Sequence, residues 1–216
     1  MRLTEMMAFD SRSFTEDERS RFSIALYQSS KKVFDLLEQL LVWSKMERGL
    51  MQFSPDLHPL KELVTDSMEI ILDSARKKSV ELNVEIAEGT EVFADQNMLR
   101  TVLRNLISNA LKYSHPGSKV SITGRPFDAG STFIEVRDSG IGMSREIMDN
   151  LFRLGNESVR PGTDGEPSSG LGLLICKDLV EKHGSIIKVE SEEEKGSAFS
   201  FVLPQQTPAI KSVPTT

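Results

Sequence analysis

Apolar residues between Phe22 and Arg48 (Phe22, Leu26, Val33, Leu37 and Leu40) recur at helical steps, interrupted by Ser29 and Ser30. Lys31, Lys32, Asp35 and Glu38 fill the opposite side. So narrow a seam predicts a helix that packs on other helices, as in a coiled coil or four-helix bundle. The preceding stretch DSRSFTED (10–17) reads as a turn, with Thr15 as N-cap and Glu18 completing a capping box. Met1–Phe9 then reads as the end of an earlier antiparallel helix.

Gly49 to Pro59 breaks this pattern, and a mixed texture follows. Leu60, Val64, Met68, Ile71, Leu72 and Ala75 predict one amphipathic helix, and Val80, Leu82, Val84 and Ile86 alternate as a half-buried strand should. Asp95 is placed to cap a helix carrying Leu99, Val102, Leu103, Leu106, Ala110 and Leu111. Strands are expected near 119–124 and 131–138, then a long mobile loop over 153–169, rich in Gly and Pro. A helix over 170–183 and a hairpin through 186–189 and 198–203, turned at 192–196, complete the pattern. The polar end, 205–216, reads as a disordered tail or linker.

Composition narrows the classes. The 216 residues suggest one ordinary domain with an appendage, or two small ones, and 38% hydrophobic residues suffice for a core without metal or disulfide. A formal charge of −6 with no basic stripe argues against nucleic-acid binding. Cys176 stands alone, excluding an intrachain disulfide and a Cys-based zinc site; His58, His115 and His183 are too dispersed for an HExxH site. With no bilayer-length apolar run and no signal peptide, the expectation is a cytoplasmic chain without membrane contact of its own, alone or as the cytoplasmic fragment of something larger.

Three short segments carry candidate chemistry. In NLISNALKYS (105–114), Asn105 and Asn109 share a helical face, with Lys112 on the next turn. Amide oxygens suit Mg²⁺ and a lysine suits phosphate oxygens, although spacing alone favours a plain solvated face. DSGIGM (138–143) follows a strand, and Gly140 and Gly142 would let the backbone approach a ligand or simply turn. SSGLGL (168–173) opens a helix, where free N–H groups and the dipole favour phosphate; it is not a Walker A loop, because no GKS or GKT follows.

In this order, the three segments resemble the N, G1 and G2 boxes of the histidine kinases of two-component signalling, within the Bergerat-fold ATPases; Phe152 matches the F box. The lead-in ADQNMLR (94–100) and the ending from EKHGS (181–185) to FSFVLP (199–204) also match, and LLVWSK (40–45) resembles the end of the second helix of the dimerisation and phosphotransfer hairpin. The resemblance implies an α+β fold: a two-layer α/β sandwich, with a mixed sheet covered on one face by helices, preceded by a helical hairpin fragment. It implies a partial hairpin over 1–50, an ATP-binding catalytic domain over 53–204 and a tail over 205–216.

Carried over residue by residue, the resemblance implies that Asn109 coordinates Mg²⁺, while Asn105 and Lys112 contact the triphosphate or metal and Tyr113 packs near the nucleotide. Asp138 would accept the adenine amino hydrogen, with Gly140, Ile141 and Gly142 flooring its pocket. Ser169, Gly170, Leu171, Gly172 and Leu173 would belong to the phosphate wrap, and 153–169 would be the ATP lid. Asn105 stands where hydrolysing relatives carry a Glu, which implies transfer to a protein over hydrolysis. Leu154 and Asn156 depart from the usual F box, in which a second Phe and an Arg are common. No His followed by an acidic residue occurs, so the phosphoacceptor is expected upstream of Met1.

The reading is therefore an ATP- and Mg²⁺-dependent protein-histidine kinase domain. It would transfer the γ-phosphate to a His outside this chain for relay to a response regulator receiver domain, and dimerise through the hairpin in the full-length protein. The alternatives are a serine kinase or ATPase of the same fold, or a non-catalytic, ATP-dependent docking module.

Overall fold

The computed structural model describes residues 15–153, 160–166 and 168–205. The expected helix end at Met1–Phe9, the departures at Leu154 and Asn156, and most of the expected tail lie outside them. The chain divides into two units, Met1–Met51 and Gln52–Thr216.

The first unit carries α1 (Glu16–Glu47), which starts where the capping box predicts. Glu18 N–H donates to the Thr15 hydroxyl at 3.3 Å, and Thr15 N–H donates back to the Glu18 carboxylate at 2.9 Å. Its apolar seam is exposed on the single chain, with Val33, Phe34, Leu37 and Leu41 each more than half exposed.

The second unit runs β1 (Asp56–Pro59), α2 (Leu60–Glu69), α3 (Leu72–Lys78), β2 (Glu81–Ile86), β3 (Glu91–Ala94), α4 (Gln96–Tyr113), β4 (Lys119–Asp128), β5 (Ser131–Asp138), α5 (Arg145–Asn150), α6 (Leu171–Lys182), β6 (Lys188–Glu192) and β7 (Gly196–Pro204). Five strands form one mixed sheet in the order β2-β4-β5-β7-β6, parallel between β2 and β4 and antiparallel elsewhere. β1 and β3 pair antiparallel as a separate ribbon.

The strands alternate as their sequences demand. Val120 and Ile122 of β4, Ile134 and Val136 of β5, and Phe201 and Leu203 of β7 are buried on one face. Opposite them, α2 contributes Leu60, Leu63 and Val64; α4 contributes Met98, Leu99, Val102, Leu103, Leu106 and Ile107; and α6 contributes Ile175 and Leu179. Gly124 brings α2 close to β4, since a β-carbon there would stand 2.5 Å from Leu60 Cδ2. The two-layer α/β sandwich follows from these faces.

Three details differ from the expected pattern. The helix predicted across 60–75 is two helices, broken at Ile70–Ile71, where Ile71 N–H bonds back to Met68 O in a tightened turn. One turn earlier the buried Ser67 hydroxyl donates to Leu63 O, a back-bond that bends helices. The β1–β3 ribbon and α5 are additional elements, too short for the periodicity to register.

Candidate functional site

Asp95 starts the central helix of the site. Its carboxylate accepts from the N–H groups of Asn97 and Met98, satisfying two otherwise unpaired donors at the α4 N-terminus. With α4 thus phased, Leu103, Leu106, Ile107, Ala110 and Leu111 face the core. Asn105, Asn109 and Lys112 form a half-exposed stripe beside them.

The G2 segment meets this stripe directly. Gly170 holds a left-handed φ of 74°, turning the chain into α6, and Ser169 Oγ accepts from Leu171 N–H at 3.3 Å. A β-carbon on Gly172 would stand 2.9 Å from Asn105 Oδ1, so a side chain there would push the Asn105 amide aside. Asn105 Nδ2 donates to Thr101 O at 2.8 Å, which aims its oxygen toward that glycine. Leu171 packs into the core, whereas Leu173 is half-buried. Lys112 Nζ donates to the Ser168 hydroxyl, which also lies 2.6 Å from the Tyr113 hydroxyl.

The G1 segment closes the other side. Asp138, at the end of β5, is buried, and its carboxylate accepts from Gly140 N–H at 2.9 Å. Burial pushes its pKa above the ordinary value, opposed by the backbone N–H groups of Gly140 and Ser197. Ile141 N–H donates to Tyr113 O at 3.1 Å, and Ile141 O accepts from Glu194 N–H at 2.9 Å, locking the loop between α4 and the β6–β7 turn. The glycines serve this packing: a side chain on Gly140 would overlap the Tyr113 carbonyl, and one on Gly142 would overlap the Glu192 carbonyl. Their small size makes room for protein backbone, in keeping with the turn that the sequence offered beside ligand approach.

Residues 160–166 add contacts that motif reading missed. Arg160 donates to Gly142 O, and its guanidinium carbon lies 5.5 Å from the Tyr113 ring centre. Thr163 N–H donates to Lys112 O at 3.1 Å, and its hydroxyl donates to Ser114 O at 2.8 Å. The expected site residues are therefore joined in two groups, Asn105 with Gly172 and Tyr113 with Gly140 and Ile141, with Lys112 and Tyr113 both reaching Ser168. Asn109 is placed by the helix itself, one turn beyond Asn105. Burial pulls the Lys112 pKa down to about 8; the nearby Lys78 ammonium acts in the same direction, and the Glu166 carboxylate opposes both.

The profile of the histidine kinase-, DNA gyrase B-, and HSP90-like ATPase family matches residues 94–207, over half of the chain. The chain belongs to this family. The match takes in the α4 stripe, the Asp138 turn and the Gly170–Gly172 turn. The sensor histidine kinase GraS of Staphylococcus epidermidis is 27% identical over 196 residues, covering 91% of this chain and 55% of GraS. The circadian input-output histidine kinase CikA of Synechococcus elongatus is 32% identical over 198 residues, covering 88% of this chain and 26% of CikA. The chain thus spans about half or less of these relatives. The solved structure of Acinetobacter baumannii histidine kinase AdeS superposes with a TM-score of 0.74 at 21% identity, covering 95% of this chain and 92% of that one, and shares the fold. No described helix is long and apolar enough to cross a membrane.

Proposed function

We propose that this chain is the ATP-binding catalytic part of a sensor histidine kinase, acting on a phosphoacceptor histidine held outside it. The observation that carries this reading is the meeting of Asn105 with Gly172 and of Lys112 with Ser168, which sets the polar stripe of α4 against the glycine turn that opens α6. The Asp138 carboxylate, at the end of β5, suits the adenine amino group. Lys112 and the backbone at Gly170 suit the phosphates.

Mg²⁺ fits the donor set. No group of three or more His, Cys, Asp or Glu residues among the described residues could cage a metal. The amide oxygen of half-exposed Asn109 is instead the kind of single protein ligand that Mg²⁺ takes when substrate phosphates supply the others. When bound, the ion neutralises phosphate charge. Lys112 contributes the same from the protein side, and Tyr113 and Ser168 hold its ammonium in place.

The chemistry is displacement at the γ-phosphorus. An imidazole nitrogen of the acceptor forms the new P–N bond, the bond to the bridging oxygen breaks, ADP leaves and the imidazole proton goes to solvent or a neighbouring carboxylate. Asn105 is an amide and cannot take a proton from water, which favours transfer over hydrolysis. Relay to a receiver-domain aspartate in the cytoplasm would follow.

The exposed apolar row on α1 suits pairing in a helical bundle, so we assign residues 1–50 to part of the dimerisation hairpin, 53–204 to the catalytic domain and 205–216 to a tail. The test is phosphotransfer. The chain, γ-labelled ATP and a separate hairpin bearing an intact acceptor His should give acid-labile label on the hairpin; label released only as free phosphate would favour an ATPase.

A further inference from the structure

Lys78, the last residue of α3, lies outside all the motifs above and outside the span of the family match. It is only 7% exposed. Its ammonium donates to Lys112 O at 2.8 Å and to Glu166 Oε1 at 2.9 Å. The carbonyls of a helix's last turn lack intrahelical donors and carry the negative end of the dipole, so a cation beneath Lys112 O is well placed.

Glu166 organises its own segment. Its second carboxylate oxygen accepts from Asp164 N–H at 2.9 Å, and its carbonyl accepts from Gly162 N–H at 2.8 Å. Gly162 lies against the Lys112 stem, since a β-carbon there would stand 2.6 Å from Lys112 Cγ. Burial alone would raise the Glu166 pKa, but the hydrogen bonds from Lys78, from its own backbone N–H and from Asp164 N–H, with the Lys78 charge, hold it below its ordinary value and keep the carboxylate charged. A buried ammonium deprived of its carboxylate is unfavourable, which sets this pair apart from an ordinary surface ion pair. Ser168, which meets both Lys112 and Tyr113, follows two residues after Glu166.

We propose that Lys78 is a positioning residue: paired with Glu166 and with the Lys112 carbonyl, it seats residues 160–166 on the end of α4 and so presents Lys112 and Ser168 to the nucleotide's phosphates. This rests on the nucleotide reading of the site. Two charges from different elements flank Lys112, the Glu166 carboxylate and the Lys78 ammonium, while the Tyr113 ring and the Ser168 hydroxyl contact its ammonium. Removing one charge or the other should therefore shift Lys112 in opposite directions.

The experiment compares the full chain with K78M, E166Q and the double variant. Calorimetry measures Mg²⁺ with a non-hydrolysable ATP analogue, and separately adenosine, between pH 6.5 and 9.5. Hydrogen exchange follows the Thr163 amide without nucleotide. Each single change should weaken analogue binding about tenfold, the scale of one charge-assisted hydrogen bond, and leave adenosine binding unchanged. The double variant should be no weaker than K78M. The pH midpoint of analogue binding should fall in E166Q and rise in K78M, and Thr163 should lose protection in both. Unchanged analogue affinity and Thr163 protection in both variants would overturn the proposal while leaving the nucleotide site standing. Equal loss of adenosine and analogue binding would show general damage and also overturn it. A wild-type chain that binds neither compound would overturn both this proposal and the nucleotide reading.

Discussion

The His183 imidazole accepts a hydrogen bond from the backbone N–H of Asp95 at 3.0 Å, joining the end of α6 to the start of α4. Its other nitrogen lies 2.7 Å from Leu179 O, which fixes the proton on Nδ1. Phe53 meets the ring edge-on at 5.1 Å, and Ser54 N–H donates to the Asp95 carboxylate at 3.0 Å. Neutral His183 therefore ties together the entrance of the domain and two of its core helices.

This arrangement predicts a pH dependence of stability. Burial lowers the His183 pKa below its ordinary value, opposed by its bond to Leu179 and by the Asp95 charge. The unfolded chain then binds the proton more readily than the folded one. The contribution is full above about 6.5, the unfolded value, and is lost as pH falls through the lower folded value. Urea denaturation at pH 5 and pH 7.5 should show a smaller difference in H183Q than in wild type; equal differences would refute the assignment.

Gly140 and Gly142 should be far less tolerant of alanine than Gly165. All three lie in loops, but side chains at the first two would overlap backbone carbonyls, whereas Gly165, at a φ of 75°, faces open space. G165A should cost about 1–2 kcal/mol of left-handed strain. G142A adds overpacking against rigid backbone to such strain and should cost about 2–4 kcal/mol; G140A meets the overpacking without left-handed strain and should cost about 2–3 kcal/mol. Similar unfolding midpoints for G142A and G165A would contradict the packing role.

Replacing the Asp138 carboxylate tests the adenine end. D138N turns an acceptor into an amide that presents either oxygen or nitrogen to the base. Loss of a charge-assisted hydrogen bond of about 1.5–3 kcal/mol lowers affinity roughly one to two decades. Calorimetry with ATP and with GTP should show ATP affinity falling and the preference between them narrowing.

At the phosphate end, N109A removes a half-exposed side chain from α4, so the fold should survive and the metal dependence of binding should not. Circular dichroism should match wild type, while Mg²⁺ no longer strengthens ATP-analogue binding. Loss of helical signal would make Asn109 a structural residue.

The parts of this architecture that rest on local chemistry were legible in the sequence. Thr15 with Glu18 and Asp95 with the amides after it mark helix starts through contacts within three residues, and β5 spans 131–138, where its alternation predicts it. The candidate site was legible because its residues cluster in short motifs. Its supports were not. Lys78 reaches its two partners across 34 and 88 residues, and no periodicity encodes such a pairing. The glycines of 138–143 were visible, but the carbonyls they make room for, Tyr113 and Glu192, belong to other elements. The four-residue strands β1 and β3 are too short to alternate detectably and are fixed by pairing with each other.

The chain alone should bind ATP without phosphorylating itself. Its three histidines, His58, His115 and His183, are each followed by a non-acidic residue (Pro59, Pro116 and Gly184). An attacking imidazole needs one nitrogen open to the phosphorus and an acceptor for the proton on the other. His183 fails the first requirement, because both nitrogens are engaged within the fold. His58 lies in β1, in register with Val92 of β3. His115 is exposed, with Nε2 3.9 Å from the Glu194 carboxylate, so it meets both chemical requirements, but it stands in the turn after α4 and not on a bundle helix. None stands on α1, where a bundle could present it to a neighbouring catalytic unit. Incubation with γ-labelled ATP should leave no acid-labile, base-stable label on the chain, while a separate hairpin with an intact acceptor becomes labelled. Stoichiometric phosphohistidine mapped by mass spectrometry to His115 would identify an acceptor within the catalytic domain and overturn the external-acceptor reading.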